Sequence, residues 1–204
     1  MARRNRTANA SPGDPLWTSH LKPAPGELRI VQAFVNTEGD AKATDEIASP
    51  RGLAAWLERW RLLPPDTELT ADEHARALAV RGALRALAVA NGGTPAAASA
   101  MERLDAVAAA TLLVVRFDGG GASRLEPAGE GLAGALGRLL TIVVQARADG
   151  LWPRLKQCAN AECRLLFFDQ SPNRSARWCA KGLCGNLVHS RTFRRRHPGY
   201  YDDF

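Results

Sequence analysis

The sequence predicts an α+β fold in two unequal parts: a mainly helical N-terminal domain with a small β component, followed by a small cysteine-bearing module made of a β-hairpin plus a helix. Three observations predict it. Between residues 49 and 150, apolar residues recur at helical spacing behind recognisable capping residues. Strand-like runs occur in only two short places in that region, and all four cysteines of the 204-residue chain fall in its last quarter as two close pairs. The implied organisation is an arm over 1–25, an α+β domain over 26–150, the cysteine module over 151–198 and a tail over 199–204.

The arm begins Met1-Ala-Arg-Arg-Asn-Arg6 and continues through Ser, Pro and Gly with few large apolar residues, a composition that favours disorder. Leu28-Arg-Ile-Val-Gln-Ala-Phe-Val35 reads as a first strand that ends at Asn36-Thr37. Ser49 and Pro50 supply the N-cap and first position of a helix with an apolar stripe of Leu53, Trp56, Leu57 and Trp60. Thr70-Ala-Asp-Glu73 is a capping box before a longer helix through Leu78, Val80, Leu84 and Leu87, closed by Gly92-Gly93. Thr94-Pro95 opens an alanine-rich helix through Met101, Leu104 and Val107. Thr111–Phe117, the glycine run 119–121 and Ser123–Glu126 predict a β-hairpin. A last helix, from about Gly131 to Asp149, presents Leu132, Leu136, Leu139, Leu140 and Val143 and stops at Gly150.

The second part turns on Cys158 and Cys163, then fifteen residues, then Cys179 and Cys184. Two close cysteine pairs separated by a hairpin-length spacer can converge on one tetrahedral ion, and thiolate sulfur selects zinc or iron–sulfur clusters. With no redox partner motif in the chain, the reading is one structural Zn2+ held by Cys158, Cys163, Cys179 and Cys184. Arg164–Asp169 suits a strand, Gln170–Arg174 is turn chemistry and Ser175–Trp178 returns toward the second pair, which predicts a hairpin between the pairs. After Cys184 a helix is expected to start at an Asn186 N-cap and run to Arg196, with Phe193 anchoring it on that hairpin.

Charge separates the two parts. Residues 151–204 hold ten Lys/Arg against four Asp/Glu, whereas residues 1–150 hold seventeen of each, so the whole net +6 belongs to the cysteine module. Such asymmetry points to a polyanion, most economically DNA. At 100° per residue Arg191, Arg194 and Arg195 share one face of the last helix, and Arg174, Arg177 and Lys181 offer further phosphate contacts. No eighteen-residue apolar stretch and no signal-peptide core occur, so no membrane association and a cytoplasmic location are expected. No Ser/His/Asp grouping, phosphate-binding glycine loop or recognisable carboxylate pair is present, so no catalytic residue is assigned and the reading is not an enzyme. Asn36 and Thr37 are candidates to line a small-ligand pocket, against the plainer reading that they satisfy backbone groups.

Phe168-Asp-x-Ser171-x-Asn173-Arg174-Ser175-x-Arg177-Trp178-Cys179, followed by Cys184-Gly185-Asn186, resembles the CGNR-type zinc finger of bacterial transcription regulators, with Leu187 where the family has Arg. Phe34-Val-Asn-Thr37, Leu53-Ala-Ala-Trp56-Leu57 and Val80-Arg81-x-Ala-Leu84-Arg85 are similar to the ABATE domain that accompanies such fingers. The resemblance implies a stress-responsive DNA-binding transcription regulator, whose zinc finger presents an arginine-rich helix and whose N-terminal domain senses an effector or dimerises. Useful specificity from one small module calls for a homodimer or another partner. The alternative is a protein or RNA interaction adaptor in which the zinc module is only a scaffold.

Overall fold

The structure, a computed structural model, describes residues 21–39 and 44–197. The N-terminal part contains helices α1 (Leu28–Asn36), α2 (Pro50–Arg59), α3 (Ala71–Val89), α4 (Ala98–Thr111) and α5 (Gly131–Ala148), with a ribbon of strands β1 (Leu113–Phe117) and β2 (Ser123–Pro127) between α4 and α5. The C-terminal part contains strands β3 (Leu155–Gln157) and β4 (Leu166–Phe168), one turn of π-helix (Lys181–Gly185) and helix α6 (Asn186–Arg196). Both sheets are two-stranded and antiparallel. The expected α+β class, mainly helical and then hairpin plus helix, is what the chain adopts.

The helix ends follow from local chemistry. Ser49 Oγ accepts from Gly52 N–H at 3.0 Å with Pro50 behind it. Thr70 and Glu73 close a reciprocal capping box, at 3.2 Å into the Thr70 hydroxyl and 2.9 Å back to Glu73 Oε2. Gly150, at φ +66°, ends α5 in the left-handed conformation that glycine adopts without cost. All five apolar residues expected on the inner face of α5 are buried.

Leu28–Val35 corrects the sequence reading. It is helix α1, not a strand, and seven of its nine residues are buried. Its β-branched residues favour a strand locally, but Leu28, Val31, Gln32 and Val35 recur at helical spacing, and burial between α3, α5 and β4 overrides propensity. Phe34 meets Trp56 with ring centroids 5.3 Å apart, and Trp56 meets Trp60 at 5.6 Å.

The second correction concerns the metal-module hairpin. The strand after Cys163 pairs backward with Leu155–Gln157, in the register Leu155↔Phe168, Lys156↔Phe167 and Gln157↔Leu166. Residues 175–178 form no strand. The first cysteine pair therefore sits in the connection at the tip of β3–β4. The third concerns the end of the arm. Residues 1–20 of the arm expected over 1–25, and the tail over 199–204, lie outside the described residues, but Leu21 packs with the cysteines and Ala24 with the helical core. One continuous core also takes in Trp152, Leu155, Leu166 and Phe168 together with α1, α3 and α5, so the two parts meet through packed side chains and not across a free linker.

Candidate metal centre and basic helix

The four cysteines are buried and their sulfurs lie within 4.8 Å of one another. Cys163 Sγ is 3.7 Å from Cys179 Sγ, which is 3.6 Å from Cys184 Sγ. Sulfurs bound to one tetrahedral zinc at about 2.3 Å would stand about 3.8 Å apart. The observed spacing fits that tetrahedron and is far beyond the roughly 2.05 Å of a disulfide. Among the described residues this is the one group of His, Cys, Asp or Glu side chains gathered closely enough to hold an ion.

The protonation balance points the same way. The side chains of Cys163 and Cys179, turned toward Cys158 sulfur, lower its pKa. The Cys158 sulfur in turn pushes the Cys163 and Cys179 thiols up. Facing only one another, converging sulfurs leave one thiolate served by protonated neighbours; a divalent cation is what lets several ionise together.

Each pair is held by its own local structure. In the first, Cys158 N–H donates to Leu165 O at 2.9 Å and Cys163 N–H to Asn160 O at 2.9 Å. Asn160 is buried, accepts Glu162 N–H on Oδ1 at 3.3 Å and directs Nδ2 toward Cys184 Sγ at 3.6 Å, joining the first pair to the second. In the second pair the π-turn carries Cys184 directly into α6. Asn186 is not an N-cap as expected; its side chain donates back to Gly182 O at 3.0 Å, because the helical backbone already starts at Lys181. Gly185 packs against the Trp178 ring, close enough that a Cβ there would stand in van der Waals contact with the indole at 3.4 Å. Trp178 also meets His189 at 5.2 Å, which places His189 on the indole.

A buried carboxylate shapes the loop between the pairs. Asp169 is 0% exposed and accepts from Lys156 Nζ at 2.9 Å, Ser171 N at 2.9 Å, Ser171 Oγ at 2.6 Å and Ala176 N at 3.0 Å. Burial works to raise its pKa, but the Lys156 ammonium and the Ser171 donors override it and hold the group at about 2. Lys156 Nζ also donates to Arg174 O.

The module is fastened to the helices at the outer edge of β4. Leu166 N–H donates to Asn36 Oδ1 at 2.7 Å, and Asn36 Nδ2 donates to Leu166 O at 2.9 Å, as a neighbouring strand would. Gln32 Nε2 donates to that same carbonyl and to Lys22 O, both at 3.0 Å, and Lys22 O accepts Phe168 N–H at 3.0 Å. Arg85 Nη1 reaches Arg164 O at 2.7 Å while its Nη2 serves Val35 O at 2.8 Å and pairs with Glu38 at 3.0 Å. Asn91 Nδ2 donates to Trp152 O and Leu155 O, both at 2.8 Å. Asn36 is thus spent on backbone. Thr37 is buried, donates to Phe34 O at 2.7 Å and accepts from Arg81, which also makes two 2.7 Å bonds to Asp45. Neither Asn36 nor Thr37 lines the open cleft of about 780 Å3 beside Trp60, Leu62, Leu63 and Arg138.

Of the basic residues picked out in the sequence, Arg174, Arg177, Lys181, Arg191, Arg194 and Arg195 are all exposed. Arg177 lies over the Trp178 ring at 5.6 Å, and Arg191 is paired with Glu162 at 2.7 Å. No residue of α6 is buried. Phe193 is 38% exposed and stacks on His197 at 4.3 Å, so it does not serve as a buried anchor as expected. Sequence reasoning gave no role to Asn160, Lys156, Gln32 or Arg85; the buried-acceptor pattern they serve exists only once the hairpin is folded.

Among the described residues no helix is long and apolar enough to cross a membrane. No curated protein matches the chain. A CGNR zinc finger matches residues 154–197, and the ABATE family, described as "putative stress-induced transcription regulator", matches residues 28–156; the two meet within β3. With most of its length matched by the one and its cysteine module by the other, the chain belongs to the ABATE family and ends in a CGNR zinc finger.

Proposed function

We propose that the protein is a DNA-binding transcription regulator, in which Cys158, Cys163, Cys179 and Cys184 hold one structural Zn2+ and α6 meets the DNA backbone. The ion supplies folding free energy; a site closed by four thiolates has no open position for chemistry. One observation carries the reading: α6 leaves the cysteine cluster with no buried residue and carries Arg191, Arg194 and Arg195 on one exposed face. Lys181, Arg174 and Arg177 extend the basic surface along the same module. The Arg191–Glu162 pair is exposed on both sides, so a phosphate can replace the carboxylate at little cost. The N-terminal domain takes the sensing or dimerising role, in the cytoplasm, with a small-molecule effector as its input.

A second reading has its own observation. Leu183 and Leu187 are exposed, 49% and 48%, and Leu187 falls between Arg191 and Arg194 around the helix. An apolar pair inside a basic face also suits an interaction adaptor for protein or RNA. The test is binding to random-sequence duplex DNA on protein of measured metal content. The regulator reading expects about one zinc per chain, a log–log salt slope of about −3 to −5 and loss of binding in Arg191→Ala/Arg194→Ala. Full zinc occupancy with no duplex binding at low salt would reject it in favour of the adaptor.

A further inference from the structure

The β1–β2 ribbon has an open edge. Ala128 N–H donates to Leu112 O at 3.0 Å and Asp118 N–H to Ala122 O at 3.0 Å, which sets the even-numbered residues of β1 as the ones bonded to β2. Leu113, Val115 and Phe117 therefore point their N–H and C=O groups outward, and no described residue bonds to them. The β2 side is blunted by Pro127, which has no N–H, and rests on α5. The β4 edge shows the contrast within the same molecule, since Asn36, Gln32 and Lys22 satisfy it.

The side chains on that edge match the backbone. The ribbon's base is seated where a Cβ on Gly137 would lie 2.1 Å from Thr111 Cγ2 and 3.0 Å from Pro127 Cβ. Away from that base exposure rises along β1, from a half-buried Leu113 to Val115 at 56% and Phe117 at 73%. The opposite face carries Arg116, Arg124 and Glu126, with Arg124 and Glu126 paired at 2.6 Å. A charged face is thus solvated while the apolar face at the tip has no cover among the described residues. A lone two-stranded ribbon is marginal in water.

We infer that β1 is a homodimer interface, in which two copies pair antiparallel about Val115 to make one four-stranded sheet. The strand is complementary to itself in that register. Leu113 falls opposite Phe117 of the second copy, Val115 opposite Val115, and each outward N–H finds a carbonyl. Arg116 then faces Val114. Sliding toward the turn centres the pair on Arg116 and sets like charges opposite each other, whereas sliding the other way sets Phe117 against Thr111, where α4 ends. Such a contact is isologous and closes at two chains. It does not depend on the finger binding DNA.

The experiment is sedimentation of the full chain over about 1 to 100 μM together with amide hydrogen exchange at both ends of that range. A dimer is expected, with the Leu113, Val115 and Phe117 amides protected at high concentration and exposed on dilution, while Val114 and Arg116 stay protected throughout. Val115→Pro removes the central outward N–H without touching a β2 bond and should weaken the dimer roughly 30-fold. Phe117→Lys, at the exposed tip where folding is not at stake, should weaken it too. A monomer throughout, or a dimer with those three amides exchanging freely, overturns the inference. So does protection independent of concentration that disappears when residues 1–20 are removed, which would assign the edge to the arm.

Discussion

Asp169 shows how one residue organises the cysteine module without belonging to the cysteine cluster. Its carboxylate ties together β3 through Lys156 and the loop through Ser171 and Ala176, and that loop delivers Cys179 to the cluster. With its pKa held at about 2 against an ordinary 3.8, the ionised form contributes roughly 2 kcal/mol. The sign follows from the depression: the contribution is present in full above the unfolded value of 3.8 and is lost as the pH falls toward 2. Asp169→Asn should therefore be less stable than the wild type by about 2 kcal/mol at pH 7, with a gap that narrows below pH 4. Urea midpoints of both proteins across that range measure it, and a gap independent of pH would assign the loss to packing. The sequence placed Asp169 in a recognisable motif and could not supply its role, because Lys156 becomes its partner only when β3 pairs with β4. The cysteines were legible from their pairing and the run between the pairs, since ligand chemistry is written in residue type. Asn160 was not, because an asparagine between Ala159 and Ala161 carries no mark of its sulfur contact.

At the scale of elements, helices with caps were readable and α1 was not. Ser49-Pro50 and Thr70–Glu73 declare their helices by local hydrogen bonds, whereas α1 has no side-chain cap and begins after Glu27 in helical conformation. The metal-module hairpin was misplaced for a related reason: Leu166–Phe168 is apolar enough to be a strand, but Leu155–Gln157, with Lys and Gln in a run of three, gives no periodic signal. What decides both is their mutual contact. Helix α1 offers Gln32 and Asn36, one helical turn apart, to the free edge of β4 and so replaces a missing strand. Asn36→Ala should leave the buried Leu166 N–H without a partner, while Gln32 still serves the Leu166 carbonyl, and cost about 1 to 3 kcal/mol. Chemical denaturation reads the loss, and hydrogen exchange at Leu166 should rise more than at Val80 in α3. Equal change at both would mean that the substitution only loosens the core.

Over the whole molecule, the same contacts make the finger part of the domain's core. Trp152, Leu155, Leu166 and Phe168 pack with Leu28, Phe34 and Leu84 in a single cluster, and Arg85 and Asn91 hold the backbone of the module from α3 and the turn after it. A free-standing module of this size buries too little apolar surface to fold without its metal, and zinc in such modules supplies on the order of 10 kcal/mol. With zinc in the cysteine cluster, the shared core would pass part of that free energy to the helices. If losing the cysteine cluster frees β4, the apolar face of α1 is uncovered and Asn36, Gln32 and Arg85 lose their bonds to Leu166 and Arg164. The metal-loaded chain should accordingly unfold in one calorimetric transition, and removing zinc with a strong chelator should lower the melting temperature of the α-helical signal along with that of the finger. Trp152, buried at the junction, should shift its emission in the chelated protein before the helices melt. Two transitions in the loaded protein, with the helical one unmoved by chelation, would show that the N-terminal domain stands alone and that these contacts carry no cooperativity. A single, metal-dependent transition would instead give the route by which an event in the N-terminal domain reaches α6, since any change that shifts α1 must move the strand from which the first cysteine pair hangs.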